Sequence, residues 1–280
     1  MKRGILAAAL AAVGCGIVSS ASMAGVYEGT VVLNQDLNNY SSGVGGEFQA
    51  NVVYAAGAPY TVATAGPNVQ IGGPSTSAEA IFQTFCIQEG VNDVDFCPGS
   101  TYYASITPAP GNGAPSSVTS VTKVLYAEFY NGSLKNNGYD YTEGSGRTLS
   151  AGELQAAIWT AEGDQTSIAN AASDAGISGN SAAQTQAQDW LTDAQNYVAS
   201  GFTATADLEG ASATGYNLVE VLGLYNTQAE AANPSSAGID QNQLVEVCAP
   251  VPLPVTANAT IVLLGAVGLF GLIRRRRMTT

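Results

Sequence analysis

The chain has 280 residues, 46% of them hydrophobic and 11% charged, which is enough apolar material for a packed core and excludes a disordered chain. Its formal charge is −13, and because Lys2, Arg3 and Arg274 to Arg277 lie at the two ends, the body sets only Lys123, Lys135 and Arg147 against all 22 acidic residues. A surface that acidic repels phosphate backbones and argues against nucleic acid as a partner. The chain has no histidine, which excludes Ser-His-Asp and Cys-His catalysis, His-ligated zinc and haem, and His-based pH switching.

Residues 1–24 read as a secretory signal peptide: Lys2-Arg3, an apolar run from Ile5 to Val18, then Ser22-Met23-Ala24 with small residues at the cleavage positions. A competing reading takes Ala12-Val13-Gly14-Cys15 as a lipoprotein cleavage site, but Ala12 stands where a larger aliphatic is usual and the apolar run continues past Cys15. Export makes disulfides possible. Strand signals follow. Phe48, Ala50, Val52 and Tyr54 alternate with Gln49, Asn51 and Val53, and Thr30 to Leu33, Ile81 to Gln88 and Thr101 to Thr107 are β-branched and aromatic runs between Gly, Pro and Asn clusters. Gly43 to Gly46 and Gly72-Gly73-Pro74 punctuate them, and Pro108 to Ser117 is a loop.

The next part is helical. Val121, Val124, Leu125 and Phe129 recur at helical spacing until Asn131-Gly132. Ser150-Ala151-Gly152-Glu153 has the form of a capping box opening a second helix with Leu154, Ala157, Ile158 and Ala161 on its buried stripe. Ala183, Ala187, Trp190, Leu191, Ala194, Tyr197 and Val198 form one face of a third helix, ended by Gly201. Tyr216 to Tyr225 and Gln243 to Val247 return to strand. The order predicts an α+β fold, a sheet or sandwich-like domain over 25–248 whose terminal strands share a sheet with a helical insertion packed against it.

Cys86 lies in Phe85-Cys86-Ile87, on a predicted strand, and Gln155 in Leu154-Gln155-Ala156-Ala157-Ile158-Trp159, in the first turns of the predicted capped helix. An aromatic-Cys-apolar motif followed by an apolar-Gln-x-x-apolar-Trp run resembles the thioester domains of bacterial surface adhesins. The resemblance implies that the Cys86 thiol and the Gln155 carboxamide condense, with loss of ammonia, into an internal thioester able to bond an amine or hydroxyl partner. Trp159, one turn from Gln155, is expected to shield that bond with Phe85 and Phe82. Helix-terminal amides are expected near the oxyanion, and Glu153, Glu162 and Tyr126 are candidates for proton transfer. With Cys86 so used, Cys97 and Cys248 remain to form a disulfide; the alternative is a Cys86–Cys97 disulfide, with Leu154 to Trp159 an ordinary amphipathic helix.

Other constellations point less far. Asn92-Asp93-Val94-Asp95 has oxygen ligands for calcium but no twelve-residue loop with a terminal Glu, and reads as a solvated acidic loop. Glu143, Glu153 and Glu162 supply carboxylates for glycoside hydrolysis only if the fold pairs them. Tyr102-Tyr103 and Tyr139 to Tyr141 have the rings to stack on sugars but sit where packing explains them. No enzymatic activity, metal or cofactor is expected.

The segment 251–280 is the sharpest signal. Val255 to Ile273 carries no charge and as a helix would span about 28 Å, nearly the hydrocarbon layer, with Arg274, Arg275, Arg276 and Arg277 held on the cytoplasmic side. The rival reading, a buried apolar helix, leaves the four arginines unexplained. Val251-Pro252-Leu253-Pro254, an apolar helix and a terminal arginine cluster resemble PEP-CTERM sorting tails in their Val-Pro-Leu-Pro-Ala variant, with Val255 in place of the final Ala. The resemblance implies an exosortase-type transpeptidase as partner in a Gram-negative bacterium. It also implies an inner-membrane-anchored precursor through helix 255–273, then delivery to the cell surface, extracellular matrix or extracellular polysaccharide. The expectation is a non-enzymatic exported surface protein with adhesive thioester chemistry; the alternative is a non-reactive structural protein of biofilm or exopolysaccharide, stabilised by disulfide.

Overall fold

A computed structural model of the chain describes residues 26–34, 40–42, 44–55, 61–62, 79–88, 100–107, 118–200, 215–232 and 239–250. The β elements are β1 Val26–Asn34, β2 Tyr40–Ser42, β3 Gly45–Tyr54, β4 Thr61–Val62, β5 Glu79–Thr84, β6 Thr101–Thr107, β7 Gly215–Tyr225 and β8 Ile239–Pro250. Between β6 and β7 lie α1 Ser120–Tyr130, a 3-10 turn Ser133–Asn137, α2 Ser145–Glu162, α3 Ile168–Ala171 and α4 Ser181–Ala199, and α5 Gln228–Ala232 separates β7 from β8. The fold is α+β: β1 and β8 belong to one antiparallel sheet and the helices form the insertion.

The strand order is β2-β3-β1-β6-β7-β8-β4, with β5 on the other edge of β3. The sheet does not stop there. Beyond the end of β5, Leu244 N donates to the Phe85 carbonyl (3.0 Å), Ile87 N to the Asn242 carbonyl (3.1 Å), and Cys86 forms a bridge with Gln243. These bonds join β5's continuation to β8, so the six strands β5-β3-β1-β6-β7-β8 curl nearly into a barrel rather than the expected open sheet or sandwich. Closure pairs edges that would otherwise stand exposed.

Paired residues share a face, and the register identifies the inner one. Val52, Ala50 and Phe48 face Val31, Leu33, Phe82 and Thr84; Tyr102, Ala104 and Ile106 continue the row to Leu224, Leu222, Gln243 and Val245. The apolar members of this row are buried. Outside the seam, α1 covers β5 and β8: Tyr126 Oη donates to the Gln83 carbonyl (2.7 Å), and Phe85 meets the rings of Tyr126 and Phe129 edge-on at 6.5 and 5.0 Å.

α1 ends at Asn131 as its sequence predicts, and α4 buries Ala183, Ala187, Trp190, Leu191 and Ala194, with Tyr197 and Val198 half-buried. α2 departs from expectation. It begins at Ser145, with Gly144 at its N-terminus and no side-chain cap, so Ser150 and Glu153 form no capping box. Ser150 Oγ instead accepts from Asp140 N (3.1 Å). The earlier turn is held by Arg147, buried in a bidentate ion pair with Glu47 of β3; Nε lies 2.9 Å from Oε2 and Nη2 pairs with Oε1. Tyr139 Oη donates to the same carboxylate (2.8 Å), and the guanidinium lies 4.3 Å over the Tyr40 ring. Burial pushes the Glu47 carboxyl up, while the Arg147 hydrogen bonds and charge pull it back. From Ser150 to Trp159 every residue of α2 is buried, because the helix lies between β2 and β3 on one side and α1, α3 and α4 on the other. Among the described residues no helix is long and apolar enough to cross a membrane, and the predicted span 255–273 lies outside them.

Candidate functional site

α2 meets the barrel seam through Gln155 and Cys86. Cys86 is a fully buried thiol and Gln155 a fully buried carboxamide. Gln155 Nε2 donates to the Cys86 carbonyl (2.7 Å), Cys86 N donates to Gln155 Oε1 (3.2 Å), and Gly46 N donates to the same oxygen (3.2 Å). The two residues singled out in the sequence, far apart along the chain, are thus brought into direct contact.

The strand register explains the arrangement. β3 and β5 pair as far as Phe48 with Thr84, and two more steps would place Gly46 opposite Cys86. The strands have parted there, and both amides turn to the Gln155 oxygen instead. The carboxamide takes the place of the missing peptide group between two strands. Room for it comes from Gly45 and Gly46. A Cβ on Gly45 would lie 2.6 Å from Gln155 Cγ and 2.4 Å from Trp159 Cη2, and Gly46 has φ 130°, a conformation that favours glycine. Trp159, one turn beyond Gln155, lies beside it over the Gly45 backbone; its ring is buried and its Nε1 makes no hydrogen bond.

The sulfur has its own partner. Gln243 Nε2 donates to Cys86 Sγ (3.3 Å), while Thr84 Oγ1 lies 3.3 Å from Gln243 Oε1 and donates to the Leu244 carbonyl (2.6 Å). All three side chains are fully buried. No family model, curated protein or solved structure matches the chain.

Two buried amides converging on one carboxamide oxygen are the arrangement that stabilises an oxyanion on an acyl carbon. They come from Gly46 and Cys86, not from a helix N-terminus: since α2 begins at Ser145, Gln155 sits in mid-helix, and the expected helix-terminal contribution does not exist there. The proposed proton-transfer residues also lie elsewhere. Glu153 is two residues from Gln155 on the helix and faces away from it; burial pushes its carboxyl up to about 7. Glu162 stands two turns on, its Oε1 accepting from Thr119 N (2.9 Å). Tyr126 is committed to the Gln83 carbonyl, and burial raises its hydroxyl well above the usual range. Glu153 and Glu162 are about 13 Å apart along one helix axis, too far for a glycosidase pair.

Phe85 flanks Cys86 in sequence, but its ring packs into the cluster of Tyr126 and Phe129. Tyr102 belongs to the barrel core; Tyr139 and Tyr141 pack on Phe129. Cys248 pairs through its backbone with Thr61 and Asn217. Cys97, Asn92 to Asp95, and the tail residues Val251 to Arg277 lie outside the described residues. Among the described residues no group of three or more His, Cys, Asp or Glu could hold a metal ion. Sequence reasoning missed Gly46, Thr84 and Gln243. Gly45-Gly46 at the start of a strand was the available signal, since glycine inside a strand marks a close backbone approach; Gln243 carried none.

Proposed function

We propose that the chain is an exported surface protein whose body forms an internal thioester between Cys86 Sγ and Gln155 Cδ. The observation that supports this reading is the seat of the Gln155 carboxamide, its oxygen between the amides of Gly46 and Cys86 and its nitrogen on the Cys86 carbonyl. The reacting sulfur is two bonds from the same Cα. In the condensation the sulfur attacks Cδ, the bond from Cδ to Nε2 breaks, and the nitrogen leaves as ammonia with the thiol proton. Charge gathering on Oε1 meets the two amides, and burial keeps water from the acyl carbon. A primary amine or hydroxyl on a surface or matrix partner then takes the acyl group and returns the Cys86 thiol. The 251–280 tail hands the precursor to an exosortase-type transpeptidase, which releases the body to the cell surface or extracellular polysaccharide.

Intact mass of the mature exported protein tests the bond. The expected mass is short by one ammonia, shifts up by one methylamine on incubation, and shows neither change in Cys86→Ala or Gln155→Ala. An unshifted wild-type mass would leave Gln155 as a structural clamp on the seam and favour a non-reactive matrix protein.

A further inference from the structure

We infer that Gln243 is the group that receives the Cys86 sulfur as a thiolate when the thioester opens. The inference rests on the thioester reading above. Gln243 and Cys86 are bridge partners, so their side chains rise from the same face of the seam, and Nε2 reaches Sγ at 3.3 Å. Gln243 Oε1 lies 3.3 Å from Thr84 Oγ1, whose hydroxyl donates to the Leu244 carbonyl at 2.6 Å. A glutamine in this position is otherwise hard to account for. It is wholly buried in a row with Leu222, Phe82 and Val245, where an amide is costly unless its polar ends are engaged, and a neutral sulfur is a poor acceptor.

The same donor becomes strong when the sulfur is charged. As an amine nitrogen bonds to the Gln155 acyl carbon, the carbon–sulfur bond breaks and its electron pair goes to Sγ; the proton shed by the amine ends on that sulfur. During the step the Gln243 N–H faces a developing thiolate, making a charge-assisted bond absent from the thioester. A contact stronger in the transition state than in the ground state is one that raises the rate. Glu162 accepts from Thr119 N, Tyr126 donates to the Gln83 carbonyl, and Glu153 lies on the other side of α2 from Gln155.

Gln243→Met keeps length and apolar bulk while removing the donor, and Thr84 retains the Leu244 carbonyl. The methylamine opening rate is measured by the growth of the adduct mass. The variant is expected to form the thioester and to open it on the order of tenfold more slowly. A merely structural role predicts the reverse, because a loosened seam admits amine and water and speeds opening. Thr84→Val, which keeps the Gln243 donor and removes the hydroxyl beside its amide, is expected to slow opening by a smaller factor and carries the test if Gln243→Met does not fold. Opening at the wild-type rate or faster, or a folded Gln243→Met without any thioester, would overturn the assignment. A wild-type protein lacking the ammonia loss fails the thioester reading itself, and is recognised as such before any variant is compared.

Discussion

Gly45→Ala is the most economical perturbation of the site. The added Cβ would stand 2.4 Å from Trp159 Cη2, 2.6 Å from Gln155 Cγ and 2.8 Å from Trp159 Cζ2, all closer than real Cβ contacts come. None of these atoms is the loose end of a flexible chain: Trp159 is buried on a helix that is itself buried, and Gln155 is held by three hydrogen bonds. The strain must be relieved by moving β3 from α2, lengthening the bond from Gly46 N to Gln155 Oε1. Overpacking of this kind costs about 1–3 kcal/mol, and loss of the buried hydrogen bond adds about 1 kcal/mol. For a domain of this size the melting temperature is expected to fall by roughly 5–15 °C. Thermal unfolding followed by circular dichroism measures the fall, and intact mass measures the proposed thioester, which is expected at lower occupancy than in the wild type. Trp159→Phe removes the ring bearing both crowded atoms, so the double variant should lose less than the sum of the singles. A Gly45→Ala protein with unchanged melting temperature and full ammonia loss would refute the close approach on which the site rests.

Two further perturbations probe the helix that carries Gln155. Burial raises Glu153 to about 7 from its ordinary 4.5. A raised acid binds its proton more tightly in the folded state, so its contribution to stability is full below about pH 4.5 and is lost as pH rises through about 7. The shift would correspond to about 3 kcal/mol at the limit and, with solvent at the edge of the carboxylate, to about 1–2 kcal/mol. Glu153→Gln should therefore stabilise the protein at pH 8 but not at pH 4, read by chemical denaturation at both; equal effects would show that the carboxyl titrates normally. Arg147→Met strands Glu47 in the interior and is expected to cost about 3–5 kcal/mol. Adding Glu47→Gln should recover part of the loss in the same denaturation assay, and no recovery would mean that packing, not charge, holds that end of α2.

Where burial is one-sided, sequence pattern is a good guide to this fold. α4 has one face to the core and one to solvent, and its periodicity identified both. β3 alternates because only one side of its outer half is covered, with Val53 exposed and Val52 buried. α2 defeats the same reasoning, since a helix packed on all sides has no polar stripe, and Ser150-x-x-Glu153 imitates a cap within it. Its true start depends on Arg147 finding Glu47, a contact across 100 residues that no local signal encodes. Barrel closure is illegible for the same reason: Phe85 to Ile87 meets Asn242 to Leu244 without a connecting turn. The meeting of Cys86 and Gln155 was legible because the two motifs are defined by neighbouring residue types. Their oxygen-binding amides were not, because any residue owns an N–H and only the fold aims it.

The seam also explains how one strand can serve both ends of the proposed function. β8 places Gln243 against the Cys86 sulfur and, seven residues further on, runs through Cys248 to Pro250, immediately before Val251-Pro252-Leu253-Pro254. It pairs with β7 along this whole length, from Tyr225 with Ile239 to Gly215 with Pro250. A partner bonded to Gln155 would pull on α2 and the seam, while a C-terminus fixed at the surface would pull along β8. The ladder between β7 and β8 then meets that load along the strand direction, so many hydrogen bonds must slip together instead of opening one at a time. A covalent bond to a partner would be of little use on a domain that unzipped from its own anchor. Here Gln243, which contacts the Cys86 sulfur, and the segment before Val251 lie on one strand of the longest ladder among the described residues.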